Sequence, residues 1–404
     1  MALETTIPAF PAGREAKRRV LLDAVAGVAG AVAAHGDESE TLGTLAPALV
    51  EAMDRSGLWA MKLPAELGGA EADPVTQIMV IEAATYLDTA VGWSTMIGAT
   101  SIGWPGAFLP DPAIEQIFAR GRIPACAGIG GVTGSAVAVE GGYRLTGRFA
   151  FASGIRHAEW LIAGARIATD GDEPPEERMF TFPYDASYVI DNWDVAGLRG
   201  TGSNDFEVKD LFVPADFTWG RAEMANGDVH RGGPIYKLGW PGFTAMEHGA
   251  FSLGAGHRAL DLVIELAKSK RRGFAAAPTI AERPVFQGFV AEADLRLRAC
   301  RDLMFEAFEE AWQLVCEGRV PERQLQMKMI GSSVLTTDTA VDVAGKAFRY
   351  AGGGALYSTG LLQRYFRDVV ASSQHLAVSN VAYEGYGRQL LGIDDPNAGP
   401  ARPR

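Results

Sequence analysis

Apolar residues recur at helical intervals between about residues 14 and 120, and again between about 240 and 392. From about 121 to 230 the chain instead shows short apolar runs broken by glycine and by turn signals at Gly141-Gly142, Pro174-Pro175 and Pro183. The outer patterns predict helices and the middle one strands and turns. The clearest periodicity joins Phe286, Val290, Ala293, Leu297, Cys300, Met304, Ala307 and Ala311, spaced alternately by four and three. Such a seam predicts one long helix lying along a neighbour, roughly 45 Å from end to end. A shorter amphipathic run, Leu260, Val263, Ile264 and Ala267, precedes it. The expected organisation is therefore mostly α with a central β-domain: a helical domain over 1–120, a β-domain over 121–230, and a long-helix bundle over 231–404 ending in a frayed, Pro-rich tail.

Composition narrows the class. With 404 residues, 48% hydrophobic and 21% charged, the chain can bury the cores of two or three domains. A net charge of −12 argues against a nucleic-acid partner, which needs a basic face. Cys126, Cys300 and Cys316 share no metal or redox spacing and read as reduced thiols. Near the N-terminus, Asp23, Gly27 and Gly30 interrupt the apolar run that starts at Val20. That run reads as neither long nor apolar enough to cross a bilayer, and no cleavable signal stands out, so no membrane contact and a cytoplasmic location are expected.

Two stretches carry candidate chemistry. In Gly147-Arg-Phe-Ala-Phe-Ala-Ser-Gly-Ile-Arg-His-Ala-Glu-Trp160, strand alternation would put Phe149, Phe151 and Ser153 on one face. That face would offer a flat redox ring an aromatic wall and one hydroxyl, or it is an ordinary buried strand end. Gly128-Ile-Gly130-Gly-Val-Thr-Gly134 misses the dinucleotide fingerprint by one residue, and Ser135 to Val139 continues as strand rather than helix. A β-domain loop is the better reading, and with it no nicotinamide site is expected. No pair among the six histidines has zinc-like spacing with a carboxylate between, so no metal is expected.

The segment around Ser153 resembles the flavin-contact strand of the acyl-CoA dehydrogenase superfamily, most closely the Phe-x-Ser-Gly version of the two-component (group D) flavin-dependent monooxygenases built on that fold. The resemblance extends along the chain through Leu63-Pro-Ala-Glu-Leu-Gly-Gly69, Trp193-Asp-Val-Ala-Gly-Leu-Arg-Gly-Thr-Gly-Ser203, Val208-Lys-Asp-Leu-Phe-Val-Pro214, Arg271-x-x-Phe274, Gly352-Gly-Gly354 and Leu362-Gln-Arg-Tyr-Phe-Arg-Asp368. It implies an acyl-CoA dehydrogenase-like fold and a homotetramer. It also implies cofactor contacts from Phe151, Ser153, Arg271, Phe274, Gly352 and Gly353, the later ones reaching the flavin of a neighbouring subunit. Read without the resemblance, Arg271 is a helix-end cation and Gly352-Gly-Gly354 a helix cap.

His375 falls seven residues after Asp368, within one position of the place that resemblance gives to the dehydrogenases' catalytic glutamate. Glu384, in Ala382-Tyr-Glu-Gly385, lies about two helical turns too far on, and Glu247 is offset from a second known location of that base. Ser101 stands where several related hydroxylases carry a histidine. Trp93, Trp104, Ser101, Trp240 and Phe243 are candidate walls of a substrate pocket, although for each aromatic among them core packing is the safer reading. The resemblance thus implies an oxygenase taking reduced FMN or FAD, FMN slightly preferred, from a separate NAD(P)H-dependent flavin reductase. With O2 it would form a C4a-hydroperoxyflavin protected by Ser153 and hydroxylate a small aromatic or heteroaromatic substrate, with His375 as base. The alternatives are an FAD-dependent acyl-CoA dehydrogenase and a non-catalytic flavin-fold binder.

Overall fold

A computed structural model describes residues 9–168, 175–271, 273 and 277–393, the side chain of Pro241 excepted. Pro174, Phe274 and the Pro-rich tail beyond Ile393, all singled out above, lie outside the described residues. The chain divides into two compact units, Met1–Trp240 and Pro241–Arg404.

The first unit begins with helices α1 (Arg14–Leu42), α2 (Pro47–Ser56), α3 (Pro74–Leu87), α4 (Thr89–Phe108) and α5 (Asp111–Ile117). Their starts follow from local chemistry. Asp73 caps α3 by accepting the Thr76 N–H at 3.0 Å, with Pro74 preset at the first helical position. Asp88 caps α4 by accepting the amides of Ala90 and Val91 at 2.9 and 3.2 Å. Helix α4 is apolar all round and buried on nearly every face, as a central core helix must be. It crosses α3 so closely that a Cβ on Gly92 would lie 2.6 Å from the Thr85 Cα. Helix α1 departs from expectation. Gly27 and Gly30 do not interrupt it, the helix runs for 29 residues, and by length and composition it passes as a membrane-crossing segment. Nothing lies within 4 Å of where a Cβ on either glycine would sit, so neither marks a close approach. One stripe of α1, Leu21, Val25 and Val28, is buried, and the helix packs on α2 and α3.

The strands are β1 (Cys126–Val139), β2 (Gly142–Phe149), β3 (Trp160–Ile167), β4 (Glu176–Pro183), β5 (Tyr188–Ile190), β6 (Asp205–Pro214) and β7 (Thr218–Gly220), followed by the short helix α6 (Arg221–Asn226). They form a sheet ordered β5-β6-β2-β1-β3-β4-β7, antiparallel except for the β1–β3 pair. The whole run Gly128–Gly134 lies inside β1, with register shifts along it, so this glycine-rich stretch is strand and no helix follows. Gly128 has φ +139, and a Cβ there would sit 2.0 Å from the Ile162 carbonyl oxygen.

The alternation expected through Phe149, Phe151 and Ser153 does not occur. Strand β2 stops at Phe149, whose fully buried ring stacks on Phe206 at 5.0 Å. Phe151 turns the chain with φ +66, and the Ser153 amide returns to the Phe151 carbonyl at 3.0 Å. This three-residue turn throws the Phe151 ring outward, 70% exposed, and tucks Ser153 inward at 7%. A non-glycine residue in the left-handed region is strained, and here neighbouring bonds hold it. Phe151 N–H donates to Asp205 Oδ1 at 3.3 Å, Ala152 N–H to the Asn204 carbonyl at 3.1 Å, and Gly154 N–H to the Thr201 carbonyl at 2.9 Å.

The second unit is a helix bundle. Helix α7 (Gly239–Ser269) enters it at Pro241, and α8 (Pro284–Cys316), α9 (Arg323–Ala351), α10 (Leu361–Ser372) and α11 (Val381–Leu390) follow. The expected seam is the buried face of α8: Phe286, Ala293, Leu297, Cys300, Met304, Ala307 and Ala311 are buried and Val290 partly so. At 33 residues this helix is about 50 Å long. Leu260, Val263 and Ala267 of α7 join the same core, with Ala340, Val343, Ala344 and Ala347 from α9 and Tyr365 from α10. Alanine on α9 lets the helices approach. A Cβ on Gly256 would lie 2.9 Å from Leu297 Cδ2 and 3.1 Å from Ala340 Cβ.

Candidate active site

In the first unit, the turn after β2 and the segment before β6 bring a row of hydroxyls together. The Trp93 indole N–H, from α4, donates to Ser153 Oγ at 2.9 Å. Ser153 Oγ lies 2.7 Å from Ser203 Oγ, Ser203 Oγ 2.7 Å from Thr201 Oγ1, and Thr201 Oγ1 2.8 Å from the Leu198 carbonyl oxygen. Ser153, Ser203 and Thr201 are all buried. Segment 198–204 is shaped to present them. Leu198 has φ +58, Gly202 has φ +56, and Trp193 donates its indole N–H to the carbonyls of Leu198 and Arg199, each at 3.2 Å. Beside the row, the exposed Phe151 ring meets the Trp193 ring edge-on, with centroids 6.3 Å apart.

Three residues past Gly154, His157 stacks on Trp59 at 5.4 Å with ring planes 10° apart. Its Nδ1 is buried without a hydrogen-bond partner among the described residues, and burial draws its pKa down to about 4. The folded protein therefore holds this ring neutral, whereas the unfolded chain protonates it near 6.5. Stability from His157 is complete above about pH 6.5 and is lost as pH falls towards 4, on the order of 2 kcal/mol by pH 5. A thermal melt series should show the midpoint dropping over that window, and His157→Phe should flatten part of the drop. An unchanged slope in the variant would remove His157 as its source.

The pocket-wall candidates are placed as follows. Trp93 is buried and serves as the donor to Ser153. Ser101 is buried within α4. Trp240 stacks on Trp104 at 4.8 Å and carries the Arg221 guanidinium 4.3 Å from its ring centroid, while Arg221 Nη1 donates to the Gly130 carbonyl at 2.8 Å. A Cβ on Gly130 would sit 2.4 Å from Trp240, so the glycine leaves room for the stack. Phe243 belongs to the second unit and is buried.

In the second unit, His375 stands between α10 and a 3-10 turn over Leu376–Val378. Its ring stacks on the buried His248 of α7, with centroids 4.0 Å apart and planes at 26°. Its Nδ1 accepts the Ala377 N–H at 3.1 Å, capping that turn. In the neutral ring this puts the hydrogen on Nε2. Although the residue is solvent-exposed, loss of water around the packed ring draws its pKa down to about 4, so the imidazole is neutral at pH 7. Of the carboxylates weighed above, Glu247 is buried on α7 and Glu384 is exposed on α11.

Arg271 is exposed, bridges by its backbone to Thr279 and donates from Nη1 to the Ala277 carbonyl at 2.7 Å. Gly352 stands at the C-cap of α9 with φ +63 and ψ −158, a glycine conformation outside the αL geometry of an ordinary helix cap, and Gly353 is exposed with nothing within 4 Å of where a Cβ would be. Lys270 Nζ donates to the Ala351 carbonyl, and a Cβ on Gly354 would meet that ammonium at 3.1 Å.

Sequence reasoning missed Ser203, Thr201, His248 and Lys270. The first two were in view as part of the Trp193–Ser203 motif, but only the fold reveals that their hydroxyls meet Ser153.

Residues 15–107 match the family model described as "Acyl-CoA dehydrogenase, N-terminal domain", and residues 246–380 match "Acyl-CoA dehydrogenase, C-terminal domain". The chain is 29% identical over 347 residues to the indole-3-acetate monooxygenase of Pseudomonas putida, covering 85% of this chain and 86% of that one. It is 28% identical over 366 residues to the flavin-dependent monooxygenase, oxygenase subunit HsaA, of Rhodococcus jostii, covering 89% and 95%. The crystal structure of 3-HSA hydroxylase from Rhodococcus sp. RHA1 superposes with a TM-score of 0.86 at 26% identity, covering 93% of this chain and 98% of that one.

Proposed function

The chain belongs to the acyl-CoA dehydrogenase family, and we infer that within it this protein is the oxygenase component of a two-component flavin-dependent monooxygenase. Its substrates in this reading are reduced flavin from a separate NAD(P)H-dependent reductase, O2, and a small aromatic or heteroaromatic molecule. The observation that carries it is the row of hydroxyls ending at Ser153 on a strained turn, with Phe151 beside it. A buried hydroxyl with a lone pair left over and an exposed aromatic next to it fit the polar edge and flat face of a flavin. Bound there, reduced flavin supplies the two electrons that convert O2 to one product oxygen and one water.

The chain's own residues do the rest. Ser153 would hold the N5 edge, Phe151 would cover the ring, and Trp93 would keep Ser153 in place. Arg271, Phe274, Gly352 and Gly353 would complete the cofactor site of a neighbouring copy in a homotetramer, in keeping with the superfamily resemblance. Ser101, Trp240 and Phe243 would line the substrate pocket. His375 would take the proton of a substrate hydroxyl. To do so at Nδ1 the bond to Ala377 must open, whereas with that bond closed Nε2–H can only donate. Reduced FMN is the flavin proposed ahead of FAD.

The test is anaerobic titration with reduced FMN and reduced FAD, then exposure to 18O2 with a panel of phenols and indoles. Micromolar binding of reduced flavin and one labelled oxygen in a product are expected. Tight retention of oxidised FAD, with its bleaching by an acyl-CoA and no labelled product, would replace this reading by the dehydrogenase.

A further inference from the structure

Three short oxygen–oxygen contacts link Ser153, Ser203, Thr201 and the Leu198 carbonyl, and the row contains three hydroxyl hydrogens. At 2.7–2.8 Å each contact needs one hydrogen between its oxygens, because otherwise lone pairs face each other. A carbonyl cannot donate, so Thr201 gives its hydrogen to Leu198. Thr201 must then accept from Ser203, and Ser203 must accept from Ser153. The Trp93 N–H, a donor only, fills one lone pair of Ser153. Ser153 is left with one lone pair and no hydrogen to give. Its polarity is set from a carbonyl three residues along a chain of hydroxyls.

We propose that Ser203 and Thr201 are positioning residues that turn the Ser153 hydrogen away from the ligand, so that the site selects a flavin whose N5 carries hydrogen. The proposal rests on the flavin reading above and deepens it. Reduced flavin bears N5–H, a donor that the free lone pair of Ser153 accepts. Oxidised flavin presents an N5 lone pair, which would face another lone pair. No group is oxidised or reduced by this device. It is a hydrogen-bond polarity built into the fold, and it lets a diffusing flavin be taken in one oxidation state and released in the other.

The experiment measures dissociation constants of oxidised FMN and of dithionite-reduced FMN, under anaerobic conditions, for the full chain and its variants. The unsubstituted protein is expected to bind the reduced form at least tenfold more tightly. Ser203→Ala frees the Ser153 hydrogen to point at N5, so oxidised FMN should gain and the ratio should fall about tenfold. For a two-electron couple that corresponds to about 30 mV in the potential of the bound flavin. Thr201→Val, which does not contact Ser153, should shift the ratio in the same direction by letting Ser203 reverse. Ser203→Thr, which keeps the hydroxyl, should restore the original ratio.

A merely structural role for these hydroxyls would weaken both oxidation states together and leave the ratio untouched, and that result overturns the proposal. So would equal affinity of the unsubstituted protein for the two forms. Failure of the unsubstituted protein to bind either form would instead overturn the flavin reading itself.

Discussion

Replacing His375 by alanine is expected to lower product formation by about 10²- to 10⁴-fold, while reduced-flavin affinity stays within about twofold. The size is that of a lost proton-transfer group, and the selectivity follows from location. His375 belongs to the α10 end of the helical unit, where its ring stacks on His248, and it is not among the residues proposed to hold the flavin. With its pKa near 4, the ring is already neutral at working pH. The acid limb of kcat/KM should therefore lie well below the usual histidine range and disappear in the variant.

His375→Asn separates the two ways the ring could act. Asparagine can keep the cap on the Ala377 amide and still offer an N–H, but it has no basic nitrogen. If His375 takes a proton, the asparagine variant fails as badly as the alanine one. Recovery of most of the activity would mean that the side chain donates a hydrogen bond instead. Full product yield from His375→Ala would remove the residue from the reaction altogether.

Ser153→Ala should be the second most damaging change, and its signature differs. The substitution removes the one hydroxyl proposed to accept from the flavin, and with it the acceptor of the buried Trp93 indole N–H. Reduced flavin should bind about tenfold more weakly, the usual scale of one such bond. Among turnovers that still occur, more of the NADH supplied through a reductase should end as hydrogen peroxide and less as product. Product and peroxide, each measured against NADH consumed, give the partition directly. An unaltered partition with unaltered flavin affinity would show that Ser153 does not face the cofactor.

Periodic features could be read from the chain because they are local. The seam from Phe286 to Ala311 maps onto the buried face of α8, since helix geometry alone fixes which side chains share a face. At 128–134 the reading is half right: no helix follows, as the strand pattern of Ser135 to Val139 indicates, but the glycine-rich run itself is strand and not the expected loop, because its pairing with β3 lies outside local sequence. The turn at Phe151 was not legible, because nothing in a phenylalanine announces a left-handed backbone. What holds it there are bonds to Asn204 and Asp205, more than fifty positions away. The hydroxyl row was hidden for the same reason. Thr201 and Ser203 look like ordinary turn residues until β6 pairs with β2 and brings them to Ser153. For His375, the family resemblance flags the position through its distance from Asp368, but the ring's partner, His248, lies on another helix. The run from Val20 illustrates the opposite error: it reads as too short and too interrupted for a bilayer, yet it lies in one 29-residue helix that passes as a membrane-crossing segment by length and composition.

The backbone at Phe151 sets stability against use. A non-glycine residue held at positive φ costs about 1 kcal/mol or more, and glycine would relieve it. Any laboratory campaign that ranks variants by melting temperature will tend to favour glycine at this position, and with it the loss of the exposed ring next to Ser153. Robustness and performance are thus selected in opposite directions at a single codon, and that codon is best held fixed when the scaffold is hardened for other purposes.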